Sequence, residues 1–322
     1  MKILGLGRAL PETIVSSEEL EKRWNLESGT LETLNGVRER RWAKIEETNA
    51  VMGARAALEA LDAAGIAKHD IDLLINASGS PQQCIPDNAP LIQKELGLDE
   101  SGIPAFTVDS SCLSFLSALD TANAFLKTER YRTILIVSSE ICSVALDHTD
   151  PKTAGLFGDA AAAAVVSNDD SSALLGARFE TYSAGAELTR LQGLGTRYFP
   201  NSPDTKPERN WFTMDGSRVA RLALRYAPDF MEKLRPGLSQ GLGELKLVVP
   251  HQTSRLGLRL LRKFWAEESI EKTLPWLGNC LAASIPATLY EAAQNGRLQR
   301  GDEFLLFGTG AGLSLGGVIL RY

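Results

Sequence analysis

Two stretches of this chain carry the same order of elements, and that order limits the fold more than composition does. The first begins with helix-period apolar residues at 51–65 (VMGARAALEALDAAG). It continues through DIDLLINASGS to SSCLSFLSALDTANAFLKTERYRTILIVSSE. The second begins at 218–234 and continues through ELKLVVPHQTS to GNCLAASIPATLYEAAQNGRLQRGDEFLLFGTG. Each reads helix, strand, polar loop, small-residue helix start, helix, strand, small-residue tail. Segments 72–77 and 133–138 are short, mainly apolar runs, as in buried strands. The alternation predicts an α/β protein with a largely parallel sheet between helices, and a helix over 112–127. Two similar halves, 1–168 and 169–322, facing one cleft would bring Cys112, His251 and Asn279 together. βαβ units all share this order, so an unduplicated sheet also fits. The polar segment 201–209 (NSPDTKPER) reads as a surface loop rather than a linker.

Composition narrows the class. The 322 residues suffice for two compact domains or one double domain. A net charge of −6 argues against general nucleic-acid binding. Four cysteines without close pairing do not make a disulfide framework, which predicts a reducing compartment, the cytoplasm. The start, MKILGLGRALPET, is too short an apolar stretch for a signal peptide, and no run has the roughly 18 apolar residues of a membrane span. Three histidines with no clustered Cys/His spacing predict no metal site.

Cys112 stands where an apolar strand pattern ends and a helix pattern begins. Unpaired N–H groups at a helix start favour a thiolate and can lower a thiol pKa from about 8.5 into roughly the 3.5–7.5 range. The alternative is a small apolar cysteine in the core. Cys280 opens a helix in a similar context and competes with it. His251 follows an apolar strand and Pro250, which aims it into a cleft as either a structural or a catalytic histidine. Asn279, at a helix start, reads by itself as an N-cap. The loop 308–316 (GTGAGLSLG) lacks the lysine of a phosphate loop and dinucleotide spacing. It suits N–H groups turned toward a developing oxyanion, or a plain turn between two strands. Asp159, beside an alanine run, is expected to buttress the fold.

Six ordered strings, NGVRERRW, DSSCLSF, FGDAAAA, PHQTS, GNCLAAS and GTGAGLSLGG, resemble segments of the ketoacyl-ACP synthase III family of the thiolase superfamily. The resemblance implies a thiolase-like five-layered αβαβα fold of two similar halves, working as a homodimer. It implies that Cys112 takes an acyl group from a thioester. His251 and Asn279 would hold the second thioester and stabilise the enolate formed as malonyl-ACP loses CO2. Backbone N–H groups of Cys112 and Gly312 would form the oxyanion hole. Ile85, in the loop SPQQCIPDN, would close the partner's acyl tunnel. No cofactor is bound permanently; acyl-CoA or acyl-ACP and malonyl-ACP are the implied substrates.

The chain departs from the family at the coenzyme A clamp. Thr30, Leu34 and Pro151 stand where relatives carry an aromatic residue and two arginines. The donor is therefore open between acyl-CoA and acyl carrier protein. Arg255, Arg259, Arg262 and Lys263 follow His251 and are candidate docking residues for an acidic carrier, or simply a solvated helix face. Rival activities keep the acyl-cysteine: non-decarboxylative condensation, or acyl transfer to an oxygen or nitrogen nucleophile. A rival of another class is a non-catalytic subunit of a heterodimeric synthase, against which the intact Cys112, His251 and Asn279 argue.

Overall fold

The structure, a computed structural model, describes residues 1–168, 174–193 and 195–322. Its first sheet holds β1 (Lys2–Ala9), β2 (Leu73–Asn76), β3 (Ala105–Thr107), β4 (Thr133–Glu140) and β5 (Ala160–Ser167), in the order β1-β5-β4-β2-β3. The second holds β6 (Leu174–Thr181), β7 (Leu247–Pro250), β8 (Glu303–Gly310) and β9 (Ser314–Arg321), in the order β7-β8-β9-β6. Traced from its first strand, each sheet runs antiparallel, antiparallel, parallel. The first adds β3 at the far edge, again parallel. The largely parallel sheet expected from the sequence is thus corrected to two mixed sheets. β9 follows β8 through the turn at 311–313, and β5 follows β4 through residues 141–159; each returns antiparallel to the strand before it.

Five layers follow from which side chains point where. Helices α2 (Ser114–Lys127) and α4 (Ser284–Gln294) lie between the sheets. Leu116, Leu119, Ile285 and Leu289 pack there with Ile75 and Ile136 of one sheet and Phe304 and Leu306 of the other. The alternate residues Leu74, Leu135 and Val137 face outward with α1 (Asn49–Ala64). Leu305, Phe307 and Ile319 face outward with α3 (Gly216–Leu234). Strands buried on both faces need mainly apolar runs, which is why the pattern was legible. One shared core spans both sequence halves. The expected join at 168/169 adjoins residues 169–173, which lie outside the described residues.

Local signals placed the ends of α1. Thr48 Oγ1 accepts the N–H of Val51, and Gly65 closes the helix at φ +65°. β1 approaches α1 so closely that a Cβ on Gly7 would lie 2.2 Å from the Ala56 carbonyl. Among the described residues, no helix is long and apolar enough to cross a membrane.

Candidate active site

The nucleophile turn is built by short polar side chains. Asp109 Oδ1 accepts the N–H of Ser111 at 2.7 Å, and Ser114 Oγ accepts that of Ser110 at 2.9 Å. Ser111 is forced to φ +53°, a left-handed conformation uncommon outside glycine. The helix starts at Ser114, so Cys112 stands in the turn ahead of it and not in its first turn, as 112–127 predicted. Cys112 is half-buried and lines a cavity of about 780 Å³.

The expected low thiol pKa is not found. Burial, then the nearby carboxylate of Glu140, push the Cys112 thiol up to about 12. N–H groups of Ala311 and of Cys112 itself favour the thiolate but are outweighed. The glycine-loop amide acting on the sulfur is therefore that of Ala311, one residue before the expected Gly312. Gly312, at φ +86°, makes the turn between β8 and β9. Ala311 lines the cavity wall together with 308–310.

His251 follows β7, its N–H donating to the Phe307 carbonyl at 2.8 Å, and it also lines the cavity. The residue is 4% exposed, and burial pushes its imidazole down to about 4, so it is neutral near pH 7. Nδ1 is buried without a hydrogen-bond partner. Gly308 lets β8 pass, because a Cβ there would sit 2.9 Å from His251 Cβ.

Asn279 shares this cavity and is 4% exposed. Its Oδ1 accepts the Leu281 N–H at 2.9 Å, and its Nδ2 donates to the Thr253 carbonyl at 3.2 Å. Gly278 before it is at φ +71°, and a Cβ there would lie 2.5 Å from the Leu156 carbonyl. Cys280 is absent from the cavity lining and packs in the core with Ala160 and Leu277; burial raises its thiol. Asp159 buttresses: its carboxylate accepts N–H groups of Ala43, Cys142 and Ser143.

The other expected residues lie further out. Ile85 is 87% exposed and does not line this chain's own cavity. Of Thr30, Leu34 and Pro151, only Leu34 does, at 50% exposure. Arg255 donates to the Thr33 carbonyl at 3.0 Å, and Arg262 pairs with Glu267 at 2.9 Å. Arg259 and Lys263 are exposed and have no ion pair among the described residues.

Two site residues escaped the sequence reading. Lys152, next to Pro151, lines the cavity and is exposed. Glu140 ends β4 fully buried, accepting N–H groups of Gly79 and Ser80 at 2.6 and 2.9 Å. Burial pushes its carboxyl up to about 7. A lone acid closing the apolar run TILIVSSE was the available signal.

Known proteins share this architecture over the whole chain. Residues 106–183 match the family described as 3-oxoacyl-[acyl-carrier-protein (ACP)] synthase III, and 240–322 match its C-terminal part. The β-ketoacyl-[acyl-carrier-protein] synthase III of Aquifex aeolicus is 33% identical, covering 100% of this chain and 99% of that protein. That of Syntrophomonas wolfei is 32% identical over 100% and 97% of the two chains. The crystal structure of the Aquifex aeolicus enzyme superposes with a TM-score of 0.88 at 33% identity, covering 100% and 99%. That of the Thermus thermophilus synthase III also gives 0.88, at 28% identity and the same coverage. Full-length likeness in both sequence and fold makes this chain a member of the 3-oxoacyl-[acyl-carrier-protein] synthase III family of thiolase-fold condensing enzymes.

Proposed function

We propose that this protein, as a cytoplasmic homodimer, condenses an acyl thioester with malonyl-ACP with loss of CO2. The supporting observation is that Cys112 from one half and His251 and Asn279 from the other line a single cavity. In the first half-reaction Cys112 Sγ attacks the acyl carbonyl. The S–C bond to the carrier breaks, and the thiol proton ends on the departing carrier sulfur. The Cys112 and Ala311 amides stabilise the oxyanion. In the second, the malonyl carboxylate leaves as CO2 and its electron pair forms an enolate. Neutral His251 and the Asn279 amide donate to that oxygen. The enolate carbon then attacks the acyl-Cys112 carbonyl, and Cys112 leaves and takes up a proton.

A neutral imidazole suits this role, because it donates to an enolate without giving up its proton to it. Simple acyl transfer to oxygen or nitrogen would need no such pair, so the retained His251 and Asn279 favour condensation. Ile85 in this reading crosses the dimer interface and covers the partner's site. The test is sequential. Intact mass should show one acyl group after incubation with an acyl thioester, lost on adding malonyl-ACP as 3-oxoacyl-ACP and CO2 appear. Loading followed by release only as free acid or as an ester would overturn condensation.

A further inference from the structure

A polar network stands next to the nucleophile turn, and the reaction above gives it no part. Glu140, fully buried at the end of β4, accepts the N–H of Gly79 at 2.6 Å and that of Ser80 at 2.9 Å. Among the described residues no other acceptor meets either N–H. Asn49, the first residue of α1, donates from Nδ2 to the Ser80 carbonyl at 3.2 Å and to the Ser139 carbonyl at 2.8 Å. Asn88 Nδ2 donates to the same Ser80 carbonyl at 2.9 Å. The chain is thus fixed at 79–80, and residues 81–87 beyond it are all exposed. Gly79 in turn lies against the nucleophile turn. A Cβ on it would stand 3.3 Å from Ser111 Cα and 3.5 Å from the Ser111 carbonyl carbon and oxygen. Ser111 is the left-handed residue directly before Cys112.

We infer that Glu140 is a positioning residue for Cys112: by gripping Gly79 and Ser80 it holds the backbone on which Ser111 rests, and so aims the Cys112 sulfur at the acyl carbonyl. The inference rests on the acyl transfer to Cys112 proposed above. Glu140 does not line the cavity, so it acts through the chain and not on the substrate. Its charge works against thiolate formation, since it helps to push the Cys112 thiol up. What it supplies is two acceptor oxygens for two adjacent N–H groups. A carboxylate meets both at once, whereas an amide has one acceptor oxygen and would turn an NH2 toward the second N–H. That clash would displace 79–80, and Ser111 would follow because packed backbone leaves no gap to absorb the shift. Acyl transfer is sensitive to such a shift: about 1 Å of misplacement can cost on the order of 10²-fold in rate.

Two rates on the full-length protein, both read at Cys112 by peptide mass, separate aim from acidity. They are measured at pH 8, above the value of about 7 at which burial holds the Glu140 carboxyl. Alkylation by iodoacetamide needs only a reachable thiolate. Acylation by an acyl thioester also needs the sulfur aimed within the cavity. Glu140→Gln should alkylate faster than wild type, because the neighbouring charge is gone, and yet acylate roughly tenfold more slowly, with the loss in kcat and little change in KM. Gly79→Ala keeps the charge and makes Ser111 give way by a few tenths of an ångström. It should alkylate at the wild-type rate and acylate severalfold more slowly, and it decides the matter should Glu140→Gln fail to fold. Acylation in Glu140→Gln as fast as in wild type, or faster, would show that only the charge reaches Cys112. Equal slowing of both reactions, or a loss confined to KM, would reduce Glu140 to a support of the fold. Undiminished acylation in Gly79→Ala would remove the link to Ser111. Each of these overturns the inference. A wild type that iodoacetamide alkylates at Cys112 but no thioester acylates would instead refute the acyl transfer itself.

Discussion

Asp109 and Asn279 hold equivalent turns in the two halves of the molecule. Each side chain accepts the N–H two residues on, of Ser111 at 2.7 Å and of Leu281 at 2.9 Å. Both acceptors precede a left-handed residue pair member, since Ser111 is at φ +53° and Leu281 at φ +45°. Ser114 and Ser284 complete the match, accepting N–H groups of Ser110 and Cys280 at 2.9 and 3.0 Å. Cys112 therefore corresponds to Ala282, and Cys280 to Ser110. Pairing the strings SSCL and GNCL by eye sets the two cysteines together and is wrong by two residues.

That correspondence separates the two thiols in a mass experiment. Cys112→Ala should take up no acyl group, because no other thiol lines the cavity. Cys280→Ala removes one buried sulfur from a packed core and should keep most activity, with a modest loss of stability of about 1 kcal/mol. Acylation of the Cys112→Ala protein at Cys280 would refute the assignment.

His251→Ala and Asn279→Ala should split the two half-reactions. Loading of Cys112 should continue, while malonyl decarboxylation falls by roughly 10²–10³ for each lost donor. Burial holds the His251 imidazole at about 4, so decarboxylation should show no His251 inflection near pH 6.5. Imidazole nitrogen shifts measured by NMR should likewise remain those of a neutral ring at pH 6. A protonated ring at that pH would contradict the structure.

Glu140 links stability to pH. Its carboxyl stands at about 7 in the fold against 4.5 in the unfolded chain, because burial disfavours the charge. Between those values the folded state keeps a proton that the unfolded chain has released. Stability from this group therefore falls as pH rises from about 4.5 to 7 and is level above, a change on the order of 3 kcal/mol. Melting temperatures of wild type and Glu140→Gln should diverge or converge only within that window. A constant offset at every pH would show that Glu140 does not titrate there. The same variant should make the Cys112 thiol more acidic, seen as faster alkylation at a given pH, since Glu140 is the second cause of its raised pKa.

The parts legible in the sequence were those set by local pattern. Doubly buried strands gave mainly apolar runs, and Thr48 and Gly65 marked the ends of α1. Cys112, His251 and Asn279 were readable because small residues and strand ends surround them. What failed depends on contacts distant in sequence. The cost of burying the Cys112 sulfur beside Glu140 comes from a strand 28 positions away (140 minus 112), and no local rule about helix starts contains it. The loop amide that acts on the Cys112 sulfur is that of Ala311, since glycine spacing shows where a loop bends, not which N–H faces inward. The parallel-sheet expectation failed because apolar runs carry no strand direction.

The acyl donor can be decided at the cavity mouth. Thr30 Oγ1 is spent on the Glu27 carbonyl at 2.6 Å, and Leu34 and Pro151 have no group that stacks on or pairs with a nucleotide. Of the four cations after His251, Arg255 is engaged by the carbonyls of Glu32 and Thr33, and Arg262 by Glu267. Arg259 and Lys263 remain exposed and unpaired among the described residues, and Lys152 adds a third cation at the cavity lining. An acidic carrier protein would be drawn to such charges, mainly through its association rate. Acyl-ACP should therefore show a higher kcat/KM than the matching acyl-CoA. That advantage should shrink as added salt shortens the Debye length from about 10 Å at 0.1 M toward roughly 3 Å at 1 M. Arg259→Glu with Lys263→Glu should lower acyl-ACP use severalfold more than acyl-CoA use. Lys152→Ala should weaken both, because a phosphate near the mouth is common to both carriers. Equal kcat/KM for the two donors at low salt, unchanged by the double reversal, would show that the protein's surface charge plays no part in choosing the donor.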